Sequence, residues 1–278
     1  MAESALGDWV GRTGVREDLI AAAPVAGLSA ALDYDTTRAG AGGELPALWH
    51  WLFFHETAPA SCLGADGHPL RGDFLPPVAL PRRMWAGGRL SFLAPLRVGD
   101  IARRESVIVA VDEKQGRSGA LVFVRLAHRI SQGGRLCIEE EQDLVYRGSG
   151  GNTPAAMEAP GSAQFARTVT PDPVLLFRYS ALTFNSHRIH FDRDYATREE
   201  GYAGLVVQGP LTATLLLDLL QRERPDAVPR RFEFRGLRPL TDGGPLSLQG
   251  RSDAGHCDLW ALDGEGALAM QARAELAT

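Results

Sequence analysis

Between Phe177 and Ala196 the chain reads FRYSALTFNSHRIHFDRDYA, which gathers Asn185, His187, Arg188, His190 and Asp192 within eight residues. An unperturbed imidazole titrates at about 6.5, so His190 can take a proton from water and hand one back near neutral pH. An amide such as Asn185 can hold a water through its oxygen and its N–H groups without carrying charge. Arg188 has the planar fork that grips a carboxylate through two parallel hydrogen bonds. Phe184, Ile189 and Phe191 alternate with these groups, so the segment is half buried, where polar side chains are costly unless paired. On composition alone, a satisfied structural turn around a core histidine fits the same residues, and Arg188 could equally pair with Asp192 or Asp194.

The elements that must position this segment follow from periodicity. Leu205 to Arg222 (LVVQGPLTATLLLDLLQR) reads as a helix apolar on nearly every side, with Gly209-Pro210 at its start and Pro225 beyond its end. Such a helix must be buried, most simply inside a curled sheet. Strands are expected at Arg89–Leu96, Ala102–Val111, Ala120–Ser131 and Leu136–Tyr146, and again at Arg231–Leu237, Pro245–Ser252, Cys257–Asp263 and Leu268–Leu276. A weak repeat lays Leu90–Asp100 on Phe232–Asp242 and suggests two related halves. In the first half Leu45–Glu56 takes the place of the apolar helix, and an N-terminal helix is expected over roughly Ser4 to Ala22. The Gly-, Pro- and Ala-rich stretch 148–161 reads as a linker.

Composition narrows the function. The chain has 278 residues, 45% of them apolar and 23% charged, with a formal charge of −5, which is the make-up of a globular protein able to bury a core. Phosphate-backbone binding needs clustered basic surface, so nucleic acid is not expected as a partner. No apolar run approaches the roughly 20 residues of a membrane helix, and no secretory leader is apparent, so a cytoplasmic location is expected. Cys62, Cys137 and Cys257 are scattered, with neither a disulfide framework nor a thiolate metal site. Of the 29 basic residues only Lys114 is lysine. Two arginine pairs stand beside strands and could meet phosphates or simply face solvent: Arg82-Arg83 near Trp85, and Arg230-Arg231.

FRYSALTFNSHRIHFD resembles the hydratase motif of the R-specific enoyl-CoA hydratases, the MaoC-like branch of the hotdog superfamily. On that motif, a Ser-Gly-Asp-x-Asn-Pro-x-His run followed by a short helix, His190 falls on the catalytic histidine and Asn185 on the catalytic aspartate. Gly209 falls on the glycine whose backbone N–H faces the thioester carbonyl. His187-Arg188 stand where the family has Asn-Pro. Asparagine cannot take a proton, which leaves the acid/base work to His190. The pattern RYSALTFN-x-H-R-I-H-x-D is similar to a sub-branch that includes mesaconyl-CoA and itaconyl-CoA hydratases and mitochondrial 3-hydroxyacyl-thioester dehydratases.

The resemblance implies an α+β double hotdog, two antiparallel sheets each wrapping a central helix. Residues 1–147 would be a degenerate hotdog domain, 148–161 the linker and 162–278 the catalytic one. It implies an acyl-CoA thioester substrate, no cofactor and no metal, with further association of chains possible. The expected reaction is hydration of a short dicarboxylic enoyl-CoA, itaconyl-CoA or mesaconyl-CoA, to citramalyl-CoA. Asn185, His190 and Gly209 would do the chemistry, His187 and Arg188 would attract the second carboxylate, and Arg230 and Arg231 would meet the coenzyme. The alternatives are a straight-chain dehydratase and a thioesterase on the same fold.

Overall fold

Alternation of apolar and polar residues puts every second side chain of a strand on one face, and here the strands so patterned join into one sheet. The computed structural model describes residues 6–116, 119–148 and 155–277. Its strands are β1 (Thr13–Leu19), β2 (Arg82–Phe92), β3 (Ile101–Gly116), β4 (Gly119–Gln132), β5 (Arg135–Arg147), β6 (Phe165–Val169), β7 (Pro229–Gly236), β8 (Leu246–Asp253), β9 (His256–Leu262) and β10 (Leu268–Leu276). The helices α1 (Ala22–Ala31), α2 (Pro173–Leu182) and α3 (Gly209–Glu223) pack against them.

All described pairings are antiparallel, in the order β1-β3-β4-β5-β2-β7-β10-β9-β8-β6. Read inward from either edge the order is the same, so the two halves are related by a pseudo-two-fold axis between β2 and β7. Leu90 pairs with Phe232 at that seam, the two residues that open the weak repeat. Isolated bridges, Glu44 to Arg97 and Val206 to Thr241, recur at matching places in the halves. The seam needs glycine: a Cβ at Gly87 would come 2.7 Å from the Phe234 carbonyl oxygen. This is the α+β double-hotdog arrangement, with the two sheets continuous.

Only the second half wraps a long helix. From Leu211 to Leu220 every residue of α3 is buried, as its all-round apolarity requires. In the first half Leu45–Glu56 yields a single 3-10 turn, Trp49–Leu52. Left-handed backbone at Leu48 (φ 70°) and Phe54 (φ 61°) brackets that turn, and Pro59 lies just beyond. The aromatic side chains Trp49, Phe53 and Phe54 enter the core from an irregular segment instead. The expected helix over Ser4–Ala22 is also replaced: Thr13–Leu19 pairs with β3 from Val107 to Ile101, and the helix begins only at Ala22. Glycines at 11 and 14 and β-branched Thr13 and Val15 favour that outcome. Of the stretch 148–161, residues 149–154 lie outside the described residues.

Asp218 is the one charged residue in the buried run of α3. Its carboxylate is gripped by Arg167 Nη1 at 2.9 Å and Arg222 Nε at 2.8 Å, and it accepts a hydrogen bond from the Tyr34 hydroxyl. Removing one partner of such a buried pair costs about 3 kcal/mol. Asp218→Ala should therefore lower the thermal midpoint by about 6 °C, read by circular dichroism.

Candidate active site

The segment with chemistry is shaped by the end of α2. Asp172 caps that helix, accepting from the Leu175 N–H at 2.7 Å, and Phe184 turns the chain out of it with a left-handed backbone (φ 50°). Asn185 then folds back: its N–H donates to the Ser180 carbonyl at 2.8 Å, and its Oδ1 accepts from the His187 N–H at 3.1 Å. A 3-10 turn over Arg188–His190 follows. The Val206 N–H donates to the Ile189 carbonyl at 2.9 Å, tying this turn to the strand-like segment that leads into α3.

His190 is buried, and its Nδ1 lies 2.7 Å from the Val206 carbonyl oxygen. A carbonyl only accepts, so Nδ1 carries the proton and Nε2 keeps its lone pair. Burial, helped by the neighbouring His187, lowers its pKa to about 3. The ring is therefore neutral at physiological pH and available as a base. His187 stands edge-on to it, with ring centroids 5.4 Å apart.

These groups share one cavity of about 1800 Å³, whose walls include Asn185, His187, His190 and Gly209. Gly209 opens α3, so the first N–H groups of that helix lack intrahelical acceptors and present the positive end of its dipole. A Cβ at Gly209 would sit 3.4 Å from the Trp85 carbonyl oxygen. Buried Gln208, just before it, donates to the Leu176 carbonyl and to Ser180 Oγ at 3.0 and 2.9 Å.

Three expected binding residues are elsewhere. Arg188 does not line the cavity: its guanidinium pairs with Asp192 at 2.7 Å, donates to the Ala65 carbonyl at 3.1 Å and lies over the Tyr195 ring. The ion-pair alternative for Arg188 is thus the one the structure holds. Arg230 and Arg231 are exposed on β7 away from the cavity, with Arg231 facing Glu275 at 3.8 Å. Arg231 points to solvent because β7 turns its alternate, apolar residues Phe232 and Phe234 into the core, and Arg230 stands at the register shift opposite Glu275 and Leu276, where the alternation is broken. Arg82 and Arg83 do line the cavity. His50, bonded to Glu140 at 3.0 Å, and His55, stacked on Phe184, do not.

Sequence reasoning missed what the first half brings to the site. His68 lines the cavity with its ring 4.1 Å from that of His187. Asp66 holds it, accepting from the His68 N–H at 3.0 Å and facing its Nδ1 at 3.1 Å. The Ala65-Asp66-Gly67 turn was the available signal. Asp66, His68 and His187 are the one group among the described residues whose ligating atoms could share a metal ion. As it stands, Asp66 is satisfied by His68. Also missed was a polar band on the concave face of the first half, Arg104, Ser106, His128 and Gln142, which lines the same cavity.

Known proteins place this geometry in a family. The family described as hydroxyacyl-thioester dehydratase type 2 matches residues 48–242. The chain belongs to that family. It is 48% identical to the mesaconyl-C(4)-CoA hydratase of Chloroflexus aurantiacus over 96% of both chains. It is 32% identical to the mitochondrial hydroxyacyl-thioester dehydratase type 2 of Schizosaccharomyces pombe, over 72% of this chain and 75% of that one. In fold it matches a MaoC-like dehydratase with a TM-score of 0.74 (13% identity, 98% of this chain and 99% of that chain). A Mycobacterium tuberculosis protein with a double hotdog fold gives 0.60 (14% identity, 96% of each). The chain is a hydratase or dehydratase enzyme, acting by enoyl-thioester hydration chemistry. No helix among the described residues is long and apolar enough to cross a membrane.

Burial also lowers the pKa of His68 to about 3 and of His128 to about 4. With His190, three imidazoles stay neutral in the folded chain at a pH where the unfolded chain has protonated them, so the unfolded state binds more protons. Stability should then fall as pH drops from about 6.5 toward 4, by about 1.4 kcal/mol per pH unit for each histidine. Urea midpoints at pH 7 and pH 5 check this; equal midpoints would mean the rings are not held neutral.

Proposed function

We propose that the protein adds water across the double bond of a short enoyl-CoA bearing a second, free carboxylate, with mesaconyl-CoA as substrate, its isomer itaconyl-CoA as a second candidate, and citramalyl-CoA as product. The observation that carries this reading is the 48% identity to a mesaconyl-C(4)-CoA hydratase along nearly the whole of both chains. The fungal straight-chain alternative rests on a lower identity over less of the chain.

The chemistry follows from three groups. Nε2 of neutral His190 takes a proton from a water that the Asn185 side-chain amide holds. The hydroxide adds to the β carbon, and the electron pair of the double bond moves onto the thioester as an enolate. The N–H of Gly209, at the positive end of α3, stabilises the oxygen of that enolate, and the missing side chain lets the thioester approach. The imidazolium then returns its proton to the α carbon, restoring the thioester and the base. Residues 162–278 supply this chemistry, while 1–147 supply cavity walls and 148–161 join the two. With Arg230 and Arg231 turned away, Arg83, Arg147 and Arg198 on the cavity wall are the cations placed to meet coenzyme phosphates.

Loss of enoyl-thioester absorbance tests the reaction, and free thiol release would indicate a thioesterase instead. His190→Ala should lower hydration by about 10² to 10⁴-fold in a folded protein, and near-normal turnover would remove His190 from the mechanism. Wild-type kcat/KM should be higher for mesaconyl-CoA than for crotonyl-CoA. The reverse order would make the protein a straight-chain hydratase.

A further inference from the structure

Arg16 on β1 and Arg104 on β3 stand directly opposite each other across the ladder. Like charges so placed repel unless an anion lies between or beside them. Both side chains line the cavity. Among the described residues neither guanidinium has a carboxylate oxygen within 4.0 Å, although most other arginines of the chain are paired. Arg16 Nη1 donates to the His55 carbonyl at 3.2 Å, and Arg104 Nη2 to the Phe54 carbonyl at 3.0 Å. Arg104 Nε is buried without a partner, and burial works against the guanidinium's charge.

Of the three carboxylates that act on Arg104, two are committed elsewhere and the third, Glu56, makes no ion pair with either arginine. Asp18 Oδ2 accepts from the Phe54 N–H at 2.7 Å. Buried Glu140 accepts from Trp51 Nε1 at 2.9 Å and from Gln142 Nε2 at 2.8 Å, and it faces His50 Nε2 at 3.0 Å. Glu56 is on the cavity wall and completes the acidic groups that act on Arg104.

The position relative to the chemistry follows from the same contacts. The His55 carbonyl that Arg16 holds belongs to the residue whose ring stacks on Phe184, with centroids 6.0 Å apart, and Phe184 precedes Asn185. On the same face of β3 as Arg104 lies Ser106, whose Oγ is 2.7 Å from His128 Nδ1. The cavity floor in the first half is therefore polar and cationic where the second half packs an apolar helix.

We infer that Arg16 and Arg104 form a carboxylate subsite that receives the free carboxylate of the substrate and sets the preference for a dicarboxylic thioester. This rests on the proposed reaction and adds the residues that select its substrate. In a dicarboxylic enoyl thioester such as mesaconyl-C(4)-CoA the carboxylate sits on the β carbon. A cationic subsite linked to the Asn185 loop through His55 and Phe184 would then orient that carbon toward the water as well as bind the charge. Arg188, engaged by Asp192, cannot serve this role without breaking that pair.

The test compares kcat/KM for mesaconyl-C(4)-CoA with that for crotonyl-CoA, in wild type, Arg104→Met and Arg16→Met, with binding of methylsuccinyl-CoA, butyryl-CoA and free coenzyme A measured by calorimetry on the same proteins. In Arg104→Met the dicarboxylic-to-crotonyl ratio should fall about 10²-fold, and the affinity advantage of methylsuccinyl-CoA over butyryl-CoA should disappear. Arg16→Met, on the more exposed edge strand, should show the same change at smaller size, and Arg104→Lys should restore part of it. A wild type that prefers the dicarboxylic substrate with a ratio unmoved by all three substitutions would overturn the subsite while leaving the reaction standing. A wild type without that preference would overturn the substrate reading itself, and the subsite with it. Equal loss of affinity for methylsuccinyl-CoA, butyryl-CoA and free coenzyme A would assign the pair to coenzyme phosphates and also overturn the inference.

Discussion

A helix with no polar face cannot be left against water, and the run Leu211–Leu220 of α3 has none to offer. Much of the molecule follows from that constraint. The second half of the sheet curls around the helix to cover it, and the single charge in its buried run, Asp218, is neutralised by two arginines and a tyrosine. The helix can begin only where the sheet opens, at Gly209, close to the backbone of Trp85 near the seam of the halves. Its unpaired N–H groups therefore emerge into the cavity, and the loop carrying Asn185 and His190 is tied to the segment just before it through Val206.

The first half repeats the strand order but gives up the helix. Its concave face is left with space, and that space is part of the cavity. A hydrocarbon floor would suit an acyl chain, yet this floor carries Arg104, Ser106, His128 and Gln142. Polar groups so placed are costly unless they meet other polar groups, which the free carboxylate of the proposed substrate would supply. The loss of symmetry thus separates roles: a helix N-terminus and a neutral histidine on one side, a cationic wall on the other.

Much of this was legible in the sequence. The strand meanders were readable because alternation and turn residues are local signals, and Leu268–Leu276 coincides with β10. Buried α3 was readable from its all-round apolarity. Asn185, His190 and Gly209, singled out by type, spacing and resemblance, share one cavity. The misreadings came from what local pattern does not contain. Leu45–Glu56 has helical composition but is broken by left-handed residues that only the packing of Trp49, Phe53 and Phe54 explains. Arg188 looked available because its pairing to Asp192 was one of two open choices. Arg16, His68 and Arg104 sit in unremarkable stretches and acquire meaning only when β1, β3 and the 64–68 loop are brought to the same cavity.

The chemistry depends on a His190 held neutral, protonated on Nδ1 by its bond to the Val206 carbonyl, with Nε2 left for the substrate water. Nitrogen-15 NMR of histidine-labelled protein, with His190 assigned by its absence in a His190→Gln variant, reads this directly. The expected signal is that of an Nδ1–H tautomer whose Nε2 shift does not move between pH 5 and pH 8. A His190 that titrates near 6.5, or that carries its proton on Nε2, would contradict it.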